Sequence, residues 1–359
     1  MLTFDRALST DSQGNARGAS LGFTATTHDG KTVDSTGSFL IGELERLDQT
    51  LHEPLVETSW GRDIDLREDV TIGDEVTSFM ISTYAASGGL GTGNGIGNGK
   101  NWIGKNTDQI PGAAVDLAKI PHPLRLWGME LKYTIPELAS AAQLGRPIDQ
   151  QKFDAMKQKH DMDIDEQVYI GDTPYGDFGL LNLPGVTATN VLPGTESGTP
   201  TKWSLKSPLE ILADINTGLQ AVWAASGWKI MPTRALIPPA QFGLLTSTIV
   251  SIAGVAGGTS IMKFLLDNNI LTSSGRGRLE ILPLKWCIGA GAGGVIGTLG
   301  TVDRMVIYTK NPNYVRFPMT LLQKTPIQYE SIYHKTTYYC KLGVVENPYP
   351  QTVGYFDQI

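Results

Sequence analysis

Two extended arms, Arg62–Tyr84 and Ala113–Ile135, joined by a glycine-rich tip at Gly88–Gly104, constrain this chain more than any other feature. In the first arm Val70, Ile72, Val76, Phe79 and Ile81 favour strand. In the return arm Met129, Leu131, Tyr133 and Ile135 alternate with Glu130, Lys132 and Thr134, the period of a half-buried strand. About fifteen extended residues per arm would reach ~50 Å at ~3.3 Å per residue. A compact chain of 359 residues has a radius of gyration of about 21 Å. Such a ribbon is expected to leave its own domain and lie on another surface.

The rest of the chain supports a large core. Apolar residues make up 41% of 359, which predicts one elaborated domain or two to three modules. Charged residues are 18%, below the roughly 25% of ordinary soluble proteins. A surface this neutral suits a chain covered by neighbours. Net charge is -7 without a Lys/Arg block, which argues against tight binding to a phosphate backbone. Cys287 and Cys340 form no CxxC, so neither a disulfide framework nor a zinc knuckle is indicated, and folding in a reducing compartment is expected. Met1–Gly18 lacks the apolar run of a secretory signal. Ala235–Met262 and Trp286–Val302 are too broken by Gly, Ser and Thr to span a membrane.

Residues 1–38, rich in Gly, Ser, Thr and Asp, read as an arm. Phe39, Leu40, Leu44, Leu47 and Leu51 then recur at helical spacing. The strongest helix signal follows Gly145-Arg-Pro147: Phe153, Met156, His160, Ile164 and Val168 lie three or four apart, with Asp149 as cap and Gly171 as terminator. Pro193–Pro200 reads as a linker. Ser207 and Pro208 open a second helix carrying Ile211, Leu212, Ile215, Leu219 and Val222. Strands are expected at Ala235–Ile237, Leu279–Leu284, Met305–Thr309, Tyr338–Leu342 and Val344–Val345, and a helix at Ile261–Asn269, giving an α+β chain.

Nothing in the sequence assembles an active site. Gly289-Ala-Gly-Ala-Gly-Gly294 matches GxGxxG after an apolar strand, but Val295–Gly300 is too short and glycine-rich for the helix a dinucleotide needs. Asp161, Asp163, Asp165 and Glu166 alternate like calcium ligands, yet Glu166 stands where the turn requires glycine; a solvated helix face is expected instead. His160, on the apolar stripe, is expected to pack in a core or interface. No GxSxG is present. A non-enzymatic protein without catalytic, metal or cofactor residues is expected.

Several short motifs, in this order and spacing, resemble the tailed-phage major capsid proteins, in the encapsulin-like branch of the Hong Kong 97-type capsid fold. They are Ile135-Pro-Glu-Leu138, Gly145-Arg-Pro-Ile148, Tyr169-Ile-Gly-Asp172, Gly179-Leu-Leu-Asn182, Ser207-Pro-Leu-Glu-Ile-Leu-Ala-Asp-Ile-Asn216, Leu236-Ile-Pro-Pro-Ala-Gln241 and Asp303-Arg-Met-Val-Ile-Tyr308. The resemblance implies an N-terminal arm (1–58), an extended β-hairpin loop with its base (59–135), a peripheral domain on a long spine helix (136–185 and 303–359) and an axial domain (186–302). It also implies a shell of hexamers and pentamers that encloses double-stranded DNA without binding it tightly. Portal, scaffolding and decoration proteins would be partners, no membrane would be involved, and assembly would take place in the host cytoplasm for a place in the virion. An encapsulin-like bacterial nanocompartment shell is the alternative. Inter-subunit contacts are expected from Phe39, Leu44 and Leu47 in the arm, Trp60, Arg62 and Arg67 at the hairpin base, and Lys100, Trp102 and Lys105 near the tip.

Overall fold

The computed structural model describes residues 56–86, 105, 113–144, 148–195, 198, 201–250, 258–291 and 302–359. The chain enters through a helical turn α1 (Trp60–Asp63) and strand β1 (Asp65–Arg67), then forms the hairpin β2 (Val76–Ala86) and β3 (Ala113–Pro123). Strand β4 (Arg125–Thr134) leads into helices α2 (Ile135–Leu144) and α3 (Ile148–Tyr169). The middle of the chain contains β5 (Ala188–Asn190), α4 (Pro208–Ala225), β6 (Arg234–Ile237), α5 (Pro239–Ser247), β7 (Ile249–Val250), β8 (Thr259–Ser260), α6 (Ile261–Asp267), α7 (Ile270–Ser273) and β9 (Glu280–Pro283). The last stretch is strand-rich: β10 (Arg304–Tyr308), β11 (Arg316–Pro318), β12 (Gln323–Lys324), β13 (Gln328–Glu330), β14 (Tyr333–Leu342) and β15 (Val353–Asp357). Among the described residues no helix is long and apolar enough to cross a membrane.

A five-stranded sheet in the order β5-β15-β10-β6-β9 organises the core. Its central strands β15, β10 and β6 are short and buried throughout, and because side chains alternate between faces, they feed two cores at once, while β5 at the edge is exposed. Met305 and Ile307 of β10, Ala235 and Ile237 of β6, and Phe356 of β15 join Ile211, Ile215, Leu219 and Val222 of α4 on one side. Val306, Tyr308, Leu236 and Tyr355 join Ile164, Val168 and Tyr169 of α3 on the other. Each fully buried side chain of this size contributes roughly 1.5–3 kcal/mol. Helix α4 comes close because residue 218 is glycine: a Cβ there would stand 2.7 Å from Ile307 Cδ1. The helix begins as its sequence implies, with the Glu210 carboxylate accepting the Ser207 amide at 2.9 Å, a capping box with Pro208 at its first turn.

The long two-armed ribbon is only half what the sequence suggests. Strands β2 and β3 pair antiparallel from Val76↔Pro123 to Ala86↔Ala113, about 36 Å of hairpin at ~3.3 Å per residue. The return arm then changes partner at Leu124. Strand β4 pairs with β14 over ten positions, from Tyr333↔Thr134 to Leu342↔Arg125. The first arm is likewise shorter: Trp60–Asp63 is helical, β1 pairs parallel with β11, and Val70 is buried outside any strand. A period of two announces strand but never names the partner, and here the partner lies some 200 residues away in sequence. Three further expectations need correcting. Val344 and Val345 are buried but not in a strand, Ile135, expected to continue the strand alternation, opens helix α2 instead, and the expected helix through Asn269 divides at Asn268–Asn269.

Candidate functional site: a clamped root and an exposed hairpin

Residues 59–67, which lead into the hairpin, are held by two buried carboxylates. Asp165 of α3 accepts the amides of Ser59 at 2.8 Å and Trp60 at 3.1 Å, capping the turn α1, and accepts Trp286 Nε1 at 2.6 Å on its other oxygen. Asp63, wholly buried, accepts the Tyr169 hydroxyl at 2.5 Å and Arg62 Nε and Nη2 at 2.7 and 2.8 Å. Burial first, and then the Asp63 charge, push the Tyr169 phenol far above its ordinary range, so it stays a donor. Tyr308 donates to the Asp63 carbonyl at 2.7 Å, tying the turn to the central sheet. Two of the four acidic residues expected on a solvated helix face therefore work otherwise. Asp165 is buried, and Asp163 accepts Trp127 Nε1 at 2.9 Å. Among the described residues no group of three or more His, Cys, Asp or Glu is placed to hold a metal ion.

A second clamp sits at the foot of the hairpin. Glu346 is buried between Arg67, whose Nη1 lies 3.0 Å from Oε1, and Arg316, whose Nε lies 2.7 Å from Oε2. The same Arg67 Nη1 reaches Ser78 O on β2 at 3.3 Å. Lys341 Nζ donates to Asp74 O at 2.6 Å, and the Leu124 amide donates to Glu75 O at 2.9 Å. Phe79 is nearly buried and stacks on His122 with ring centroids 5.5 Å apart. Beyond this foot the hairpin emerges. Val76 is 53% exposed, Met80 73%, Val115 58% and Leu117 64%. Their cross-strand register, Met80↔Lys119 and Ser82↔Leu117, puts them on one face. The result is a firmly held root carrying an apolar ribbon that nothing among the described residues covers.

The spine helix α3 ends on the segment its sequence motif supplies. The amides of Leu180 and Leu181 donate to the carbonyls of Val168 and Tyr169 at 2.7 and 3.0 Å, and Asn182 Nδ2 donates to Ile170 O at 2.8 Å. The terminal carbonyls of the helix are thus satisfied by the Gly179–Asn182 motif. His160 faces the core as expected, with Nε2 3.3 Å from Cys340 Sγ, the Trp127 ring edge-on at 4.7 Å and Asp161 Oδ1 3.7 Å from Nδ1. Burial lowers its pKa, and that of His122, against the smaller opposing pull of nearby carboxylates. Above about pH 6.5 the imidazoles are neutral in both the folded and the unfolded chain; below it the unfolded chain takes up protons that the folded one refuses. Stability is therefore expected to fall as pH drops from about 6.5. The urea midpoint should be lower at pH 5.5 than at pH 7.5, and His160→Gln should flatten that difference.

The glycine motif at Gly289–Gly294 has a packing explanation in its described part. The Gly289 amide donates to Asp303 Oδ1 at 3.0 Å, and a Cβ on Gly291 would stand 2.7 Å from Asp357 Oδ1. Asp357 is there to hold Arg304, through Nε–Oδ1 at 2.7 Å and Nη2–Oδ2 at 2.9 Å, both side chains buried.

Of the residues expected at inter-subunit contacts, Trp60 packs half-buried against the α3 core, and Arg62 and Arg67 serve the two clamps from within the chain. Lys105 is exposed. Phe39, Leu44, Leu47, Lys100 and Trp102 lie outside the described residues. Sequence reasoning missed Asp63 and Glu346, and placed Asp165 on a solvated helix face where it is buried. A lone carboxylate leaves no local pattern, and the only clue was that arginines beside an apolar segment need a counter-charge.

A family model described as Major capsid protein matches residues 99–359. No curated protein matches the chain. Among solved structures, the capsid of Myoviridae phage XM1 is similar at 13% identity, covering 89% of this chain and 98% of that one with a TM-score of 0.68. Mycobacterium phage Cain is similar at 12% identity, covering 89% and 96% with a TM-score of 0.54. The capsid of a native GTA particle is similar at 10% identity, covering 90% and 97% with a TM-score of 0.53. At such identities the likeness establishes a common fold.

Proposed function

The chain belongs to the major capsid protein family, and from that premise we propose that its copies assemble as hexamers and pentamers into the icosahedral head shell of a tailed phage, around double-stranded DNA. Its fold is the Hong Kong 97-type capsid fold. The observation that carries the reading is the exposed apolar face of a hairpin held rigidly at its root. Laying that face on a neighbour removes apolar area from water at about 25 cal/mol per Å². Repeated over many copies, modest contacts make a strong shell. The net charge of -7 suits a wall that contains DNA without trapping it.

The parts follow: 1–58 as N-terminal arm, 59–135 as extended loop with its base, 136–185 with 303–359 as peripheral domain and 186–302 as axial domain. The central sheet draws strands from both of the last two spans, which would make them move as one body. Arm residues Phe39, Leu44 and Leu47, base residues Trp60, Arg62 and Arg67, and tip residues Lys100, Trp102 and Lys105 are the proposed contacts. Portal, scaffolding and decoration proteins are the proposed partners, with assembly in the host cytoplasm. The family match favours a phage shell over an enzyme compartment of the same fold.

The chain expressed alone should form closed particles in negative-stain micrographs. Trp102→Ala and Leu117→Glu should each cut particle yield at least about tenfold, the effect of losing ~1.4 kcal/mol per contact. Thermal unfolding of the unassembled subunit should hardly change. Normal particle yield from both variants would refute the reading.

A further inference from the structure

Strands β2 and β3 have opposite characters. Strand β2, Val76–Ala86, contains no charged residue, no proline and no glycine, and is rich in β-branched and aromatic residues. Strand β3, Ala113–Pro123, carries Asp116, Lys119, Pro121 and Pro123. Proline and lysine are what edge strands use to refuse further pairing, and an uncharged β-rich strand is what the middle of a sheet uses. Yet the two form a two-stranded sheet, so among the described residues both are edges.

The register says which backbone groups are free. Pairing runs without a bulge from Val76↔Pro123 to Ala86↔Ala113, so outward-facing residues alternate. Ser78 O, bonded to Arg67, turns away from β3, and Met80, Ser82 and Tyr84 therefore do so as well. On β3 the corresponding residues are Pro123 and Pro121, which lack an N–H, followed by Lys119, Leu117 and Val115. The outer edge of β3 is blocked at its foot and charged in its middle. Among the described residues the outer edge of β2 is open from Met80 onward, and Ser82 is exposed.

We propose that this open edge pairs antiparallel with β2 of a second copy, about a two-fold axis at Ser82. This rests on the shell-forming reading above. The strand is self-complementary: Met80 lies opposite Tyr84 of the second copy, and Ser82 opposite its own counterpart. With no charge on β2, nothing selects an oppositely charged partner. The product is a four-stranded sheet in the order β3-β2-β2-β3, with the uncharged strands inside and the strands bearing proline and charge outside. An isologous contact of this kind closes on itself and leaves no new open edge.

The test uses the whole chain. Opposed residues in a hydrogen-bonded antiparallel pair have Cα atoms about 5.5 Å apart, within the roughly 4.4–6.8 Å that a disulfide spans. The natural cysteines, Cys287 and Cys340, are buried. Mild oxidation of particles assembled from Ser82→Cys should convert most subunits to disulfide-linked dimers on a non-reducing gel. The same change on the outer edge of β3, Lys119→Cys, should give almost none. Ser82→Pro, which removes the outward N–H and spares the β2–β3 bonds, should lower particle yield at least tenfold, while Ser82→Ala assembles normally. Intact Ser82→Cys particles without the dimer band, as when residues 1–55 of a neighbour occupy the edge, overturn the pairing and leave the shell reading standing. So does an equal band from Lys119→Cys, or equal yields from Ser82→Pro and Ser82→Ala. Absence of particles from the unsubstituted chain overturns the shell reading and the pairing with it.

Discussion

Gly179→Ala is expected to leave no stably folded subunit. A Cβ at this position would stand 2.3 Å from the carbonyl carbon of Tyr169, 2.4 Å from its oxygen and 2.5 Å from the amide nitrogen of Ile170, all backbone atoms that cannot swing aside. The approach is this close because the Gly179 amide donates to Ile170 O at 3.2 Å and to Asn182 Oδ1 at 2.7 Å, holding the strap that satisfies the end of α3. Moving the strap would expose the terminal carbonyls of the helix and withdraw Leu180 and Leu181 from the core around Tyr355. A loss above about 4 kcal/mol is expected, a large share of a domain's total stability. Gly176 supplies the comparison. Its φ is +76°, but a Cβ there would meet nothing within 4 Å. Gly176→Ala should cost only the roughly 1–2 kcal/mol of a left-handed alanine. Soluble yield and urea unfolding of the two variants would check this, and equal effects would refute it.

The second large effect is expected at Glu346. Its carboxylate is fully buried and answers both Arg67 and Arg316, while each arginine keeps about a quarter or less of its side chain in water. Glu346→Ala removes the carboxylate that both guanidiniums bond, taking from Arg316 its ion-pair partner among the described residues while Arg67 keeps Asp69. Breaking a fully buried pair costs roughly 3–5 kcal/mol, and the partial hydration of the arginines places this one near 3 kcal/mol. The damage should be local as well as global. Arg67 also holds Ser78 O, so proteolysis between β2 and β3 should quicken more than unfolding alone explains. A denaturation midpoint unchanged from the parent would show that the clamp carries little.

The elements with strong periodicity were legible before any coordinates. The stripe Met156, His160, Ile164 and Val168 does face the core from one helix, and Ser207-Pro208 does open another. The apolar runs at Arg234–Ile237 and Arg304–Tyr308 are central strands, buried on both faces. The ribbon was legible as two arms and a tip but not in its pairing. Alternation in residues 125–134 is equally compatible with the first arm and with residues 333–342, and only the register with β14 decided between them. Arg62 and Arg67 were legible as charges at the hairpin base, though their use inside the chain was not.

The amino-acid order alone determined where the strongly periodic elements lie, the spine helix, the helix opened at Ser207-Pro208 and the central strands at 234–237 and 304–308, and that β2 carries no charge, proline or glycine. These properties depend on residues a few positions apart, so they are written locally. Tertiary structure decided which strand lies beside which, that Asp63, Asp165 and Glu346 are buried acceptors, and that Gly179 has no room for a methyl group. Each of those depends on atoms brought together from segments ten to almost three hundred residues apart, a distance over which side-chain periodicity carries no information.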